Sequence, residues 1–140
     1  MIDQDGNVQT TDAIGDVVQA IQVYNNKLIA LINNESKIKI FTITESGLNM
    51  PGIEVSTSGS QPRDLEVVGD KLYITNFMSQ DVKVFNLFNY SFETSISIDG
   101  TPEDVLYDGQ NIWVTVPHLD TNYTTGNTVA VIDPNSNTLI

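Results

Sequence analysis

One strand–turn–strand unit recurs three times in this chain of 140 residues, and that recurrence limits the fold more than any other feature. The copies run from Ile21 to Ile32, from Leu65 to Asn76 and from Val105 to Val116. Each reads as a short apolar-alternating strand, a polar turn and a second strand. The turns hold Asn25-Asn26, Gly69-Asp70 and Asp108-Gly109, residue types that tolerate the positive φ of a tight hairpin. A third alternating strand follows in each copy: Ile38–Ile43, Val82–Leu87 and Val129–Asp133. The first two of these match closely, with Lys39 against Lys83 and Phe41 against Phe85. In the third copy the strand is delayed by an insertion that includes Pro117–Asn127. A fourth strand is expected at Ile53–Thr57 and at Phe92–Ile98.

The spacing is 44 residues from Leu28 to Leu72 and 40 from Leu72 to Ile112. Four short strands in about 40–45 residues is the pattern of a β-propeller blade. The chain therefore reads as all-β: three four-stranded antiparallel blades, a partial or half propeller. The expected division is a leader over 1–14, then blades over 15–58, 59–99 and 100–140. A two-sheet sandwich is the alternative, but it gives no reason for near-identical strand triplets.

Composition agrees. Apolar residues make up 40%, enough for a packed core, and the polar residues are mostly turn formers. Six Lys and Arg against 18 Asp and Glu leave a net charge of −12, which argues against nucleic acid and anionic lipid as partners. With no cysteine, disulfides, thiolate metal sites and cysteine nucleophiles are excluded. No apolar run approaches the ~20 residues of a membrane span, and Met1-Ile2-Asp3 does not open like a signal peptide. The segment Asp3-Gln-Asp5-Gly-Asn7 has half the acids of a calcium loop but Ile14 at the position of its closing acid, so it reads as an acidic leader.

Leu72-Tyr-Ile-Thr-Asn76, Ile112-Trp-Val-Thr115 and Asn127-Thr-Val-Ala-Val-Ile-Asp-Pro134 resemble the YVTN repeat of bacterial surface and periplasmic propellers. The first copy departs most, with Leu28-Ile-Ala-Leu-Ile32 in place of the motif. The resemblance implies a secreted, periplasmic or cell-surface setting. It also implies a non-catalytic binding or scaffold role, since most such propellers bind and assemble; related propellers include lactonases and lyases.

Known rings have about four to eight blades, so three leave both ends of the stack open. Asn7–Ile14 aligns with the outer strand Phe92–Ile98, while the third blade stops at Thr138–Ile140, where its own outer strand should begin. The expected partners are therefore other blades, from a longer chain, from a second copy or from a larger assembly. A protein or a small polar ligand is the other expected partner.

Strand order puts the loops between blades and the loops between second and third strands on one face. That topology gathers Arg63, Asp64, Glu103, Asp104, His118, Asp120 and Tyr123 at the mouth of the central channel. They can form a polar pocket, and Asp64 and Asp104 are the candidate ligands of Ca²⁺ or Mg²⁺, although no cofactor is required. The other role for such carboxylates is to tie neighbouring blades through backbone amides. Trp113 and Tyr73 occupy equivalent positions and read as packing aromatics. No Gly-x-Ser-x-Gly occurs and His118 is the single histidine, so no catalytic set is complete. The expectation is thus a non-catalytic binding or assembly module. The rivals are a lactonase-like hydrolase with a divalent cation at the channel and a structural surface-layer subunit.

Overall fold

The structure is a computed structural model that describes residues 5–8 and 10–140; residues 1–4 and Gln9, and with them Asp3 of the acidic leader, lie outside the described residues. It is all-β, with no helix among the described residues. Three antiparallel sheets follow one another along the chain. Sheet 1 holds β1 (Val18–Tyr24), β2 (Lys27–Ile32), β3 (Lys37–Thr44) and β5 (Ile53–Ser56), with a two-residue β4 (Gly47–Leu48) paired to the end of β3. Sheet 2 holds β6 (Pro62–Val68), β7 (Lys71–Asn76), β8 (Asp81–Asn86) and β9 (Phe92–Ser97). Sheet 3 holds β10 (Val105–Tyr107), β11 (Ile112–His118), β12 (Thr125–Asp133) and β13 (Thr138–Leu139).

Turn chemistry sets the hairpins. Asn25 takes φ 54° and Gly69 takes φ 64° at the two-residue connections β1–β2 and β6–β7, as their residue types require. In the third copy the turn falls one residue later than Asp108-Gly109. Asp108 pairs its amide with the Asn111 carbonyl, and its Oδ1 accepts the amides of Gln110 and Asn111 at 2.7 Å each, so Gly109-Gln110 forms the tip.

Packing follows the two-residue alternation of the strands. One core lies between sheets 1 and 2: Ile29, Leu31, Ile38 and Ile40 meet Leu65, Leu72, Ile74 and Phe85. A second lies between sheets 2 and 3: Tyr73, Val82 and Val84 meet Val105, Ile112, Val114 and Ile132. Each fully buried side chain of this size contributes roughly 1.5–3 kcal/mol by leaving water. A third, smaller cluster of Ala30, Ile32 and Phe41 sits on the other side of sheet 1, where Ile14 and Leu48 pack on it. Residues 10–14, which align with an outer strand, form no strand within the single chain; Thr10, Thr11 and Asp12 instead border a cavity on that side of sheet 1.

Polar groups stitch the first strands of the sheets together. Asp64 Oδ2 accepts the Val105 amide at 3.0 Å, Glu66 Oε2 accepts the Tyr107 amide at 3.3 Å, and Gln22 Nε2 donates to Glu66 Oε1 at 3.1 Å. Spaced two apart on β6, Asp64 and Glu66 face the same side and meet amides of β10 that β11 leaves unpaired. The crossover into sheet 3 is close-packed: a Cβ on Gly100, at φ 124°, would stand 2.6 Å from the His118 carbonyl oxygen.

Candidate functional site

The loops before β6 and β10 share one end of the stack with the loops β7–β8 and β11–β12. A register shift between Pro62 and Leu65 frees Arg63 from regular pairing with β7. Its guanidinium lies over the Phe77 ring, 4.7 Å from the centroid. The same guanidinium meets Glu103, Nε to Oε2, at 3.3 Å. Nε is buried, and this ion pair is not aligned as a hydrogen bond. Phe77 is itself buried, and its amide donates to the Gln61 carbonyl at 3.1 Å, which holds it beside the start of β6.

The column continues into sheet 3. The Phe77 and Tyr123 ring centroids are 5.2 Å apart, and Tyr123 meets His118 edge-on at 5.1 Å. Tyr123 is exposed and takes φ 64° in the inserted loop. His118 is anchored by its carbonyl, which accepts the Thr101 amide at 2.8 Å. Its Nδ1 is buried without a hydrogen-bond partner. Arg63, Phe77, Tyr123 and His118 thus form one stack across two sheets, with Glu103 beside its cationic end.

Arg63, Glu103, His118 and Tyr123 of the expected set converge; the other three members do different work. Asp64 spends one oxygen on the Val105 amide, between sheets 2 and 3. Asp104 is exposed and does not join the stack, and its amide donates to Thr115 Oγ1 at 2.9 Å. Asp120 closes its own loop: Oδ1 accepts the Asn122 and Thr124 amides, and Oδ2 accepts the Thr124 hydroxyl at 2.8 Å. Phe77 was missed by the sequence reading. A signal existed, because the β7–β8 loop lies on the same face as the insertion and Phe77 is its one aromatic residue.

The titrations follow from burial. Desolvation raises the Asp64 carboxyl above its ordinary value, against the lowering effect of the Val105 and Leu65 amides. Desolvation also raises Glu103, with Arg63 pulling the other way and Asp104 adding to the rise. Asp120 is held low, first by the Thr124 hydroxyl and then by the Thr124 amide. The exposed Asp104 adds a smaller raising effect on Asp64. Among the described residues no three His, Asp or Glu side chains gather closely enough to hold a metal ion.

With this geometry in hand, the fold can be placed among known proteins. No protein-family model and no curated protein matches the chain. Solved structures do. The hydrazine synthase of Kuenenia stuttgartiensis superimposes with a TM-score of 0.73 at 18% identity, over 96% of this chain and 38% of that one. A luciferin-regenerating enzyme gives 0.75 at 12% identity, over 93% of this chain and 49% of that one. A Bacteroides uniformis protein provisionally classed as a 6-phosphogluconolactonase gives 0.73 at 10% identity, over 97% and 45%. The chain spans less than half the length of each of these three. At such identities the likeness defines the fold alone: these are β-propeller-like proteins, and this chain shares their all-β sheet stack.

Proposed function

We propose that the chain is a non-catalytic binding and assembly module built from three propeller blades, and that it binds through the stack of Arg63, Phe77, Tyr123 and His118 on its channel face. The single observation behind this reading is that stack: side chains from two sheets meet on loops of a rigid scaffold, with two buried nitrogens, Arg63 Nε and His118 Nδ1, left without hydrogen bonds. A planar polar ligand, or a loop of a protein partner, can lie on the exposed Tyr123 ring. The motifs Leu72–Asn76 and Asn127–Pro134 support a YVTN-type relationship, and with it a secreted, periplasmic or cell-surface setting.

A rival reading draws on the mutual repulsion of Asp64 and Asp104, which a divalent cation would relieve in a lactonase-like hydrolase. Backbone NMR separates the two. Titration with a set of small planar polar compounds should shift Arg63, Phe77, Glu103, His118 and Tyr123, and the Arg63→Ala variant should abolish the shifts. Shifts confined to other surfaces would refute the binding site. Stoichiometric Ca²⁺ at Asp64 and Asp104, with lactone turnover that depends on it, would establish the hydrolase instead.

A further inference from the structure

The two outermost faces of the stack are the two halves of a junction that the chain already makes twice. On sheet 2, Tyr73, Val82 and Val84 are 0% exposed because sheet 3 covers them. Their repeat equivalents on sheet 3 are Trp113, Val129 and Val131, and Trp113 and Val129 are 41% and 55% exposed. At the other end, Leu65 and Val105 are each 6% exposed where a preceding sheet packs on them, while their equivalent Ile21 is 63% exposed. Solvent therefore stands where the repeat places another sheet, over Trp113 and Val129 on sheet 3 and over Ile21 on sheet 1, while Ile14 and Leu48 cover Ala30, Ile32 and Phe41 at the rest of that face.

The internal junctions also show what an aromatic at the Trp113 position reaches. Tyr73 crosses to the connection between the last two strands of the next sheet, where its hydroxyl donates to Asn137 Oδ1 at 2.6 Å. Ile29, the equivalent in sheet 1, borders a cavity with Leu87, Phe88 and Tyr90 from the corresponding β8–β9 connection of sheet 2. The matching connection in sheet 1 is β3–β5, and its Ser46, Gly47, Leu48 and Met50 line a cavity of about 600 Å³ together with Ile21, Val23, Leu28 and Ile43.

We propose that a second copy of this chain docks head to tail, each Trp113 entering the other copy's cavity, so that two chains close one six-bladed ring. The polar link is specified as well. Asp64 caps the amide of Val105, and the repeat maps that pair onto Asp104 and Ile21. Asp104, exposed in the single chain, thus meets the Ile21 amide of the partner. Two-fold closure uses both faces of each copy and leaves none open. Four strands ~4.8 Å apart and about six residues long present roughly 400 Å² per face. Two faces give roughly 800 Å² per copy, the size of a stable interface. Six blades also fall within the range of about four to eight in which rings close.

The inference rests on the blade reading of the three sheets. Light scattering of the purified 140-residue chain should give twice its 15.4 kDa mass. Fluorescence of its one tryptophan should shift to the red on dilution as Trp113 returns to water. Trp113→Asp and Ile21→Asp should each give a monomer, and mixing the two variants should restore a dimer, since one intact junction remains between them. Val129→Lys serves as a second sheet-3 variant should Trp113→Asp fail to fold. A monomer at all concentrations, a dimer that survives these substitutions, or an open polymer would overturn the pairing. Cooperative all-β melting of a monomeric variant would show the blade stack intact, so that failure to pair refutes the second copy alone.

Discussion

The Tyr73 hydroxyl donates to Asn137 Oδ1 at 2.6 Å, joining sheet 2 to the β12–β13 turn of sheet 3. Burial pushes the Tyr73 pKa up to about 12, so the hydroxyl keeps its proton and remains a donor throughout the stable range. Tyr73→Phe should keep the ring in the core and lose only the hydroxyl's bonding to Asn137 Oδ1 and, at 3.3 Å, to the Pro134 carbonyl. The expected cost is about 1 kcal/mol, a fall in Tm of roughly 2–4 °C by thermal denaturation. Tyr73→Ala should cost about 3–5 kcal/mol, because it leaves a cavity as well.

Acid should act in two opposite senses. The Asp64 and Glu103 carboxyls are raised on folding, so the folded state holds more protons than the unfolded state just above the ordinary carboxylate range. Stability in that window therefore rises as pH falls. Asp108, Asp120 and Asp133 are lowered, and what they contribute is lost when pH falls below that range. The Tm-against-pH curve should peak on the mildly acidic side of neutral. Asp64→Asn keeps an oxygen for the Val105 amide, so it should flatten the neutral side of the peak without lowering Tm at pH 7.

Asp120 organises the loop that presents Tyr123. Asp120→Ala leaves the Asn122 and Thr124 amides to water and should release the loop. Hydrogen exchange should speed up across residues 119–124 by about tenfold, with Tm changed by less than a few degrees, since local opening of an exposed loop need not unfold the core. An unchanged exchange rate would remove Asp120 from this role.

Arg63 holds the Glu103 pKa down against burial. Arg63→Met preserves the stem over Phe77 but removes the charge, so Glu103 should titrate at higher pH in a side-chain carboxyl NMR titration. Arg63→Lys should restore most of that shift without restoring ligand binding, because an ammonium cannot reproduce the flat stacking of a guanidinium.

Much of the fold was legible because strand alternation and turn chemistry are local. Asn25-Asn26 and Gly69-Asp70 form hairpins by their own backbone preferences, whatever surrounds them. The site was only half legible. Chain order sufficed to bring Arg63, Glu103, His118 and Tyr123 to one end, since hairpins alternate direction. It did not reveal that Phe77 lies between Arg63 and Tyr123, nor that Asp120 turns back into its own loop. Those outcomes depend on side-chain packing between sheets.

The sequence by itself determined the strands and hairpins of the three repeats, because each depends on residues only a few positions apart. Only the tertiary structure decided that Trp113 and Val129 stand open to solvent while Tyr73 and Val82, at matching positions, are sealed. Burial is set by what packs on a face from far along the chain, and equivalent residues acquire different surroundings once a stack of sheets has ends.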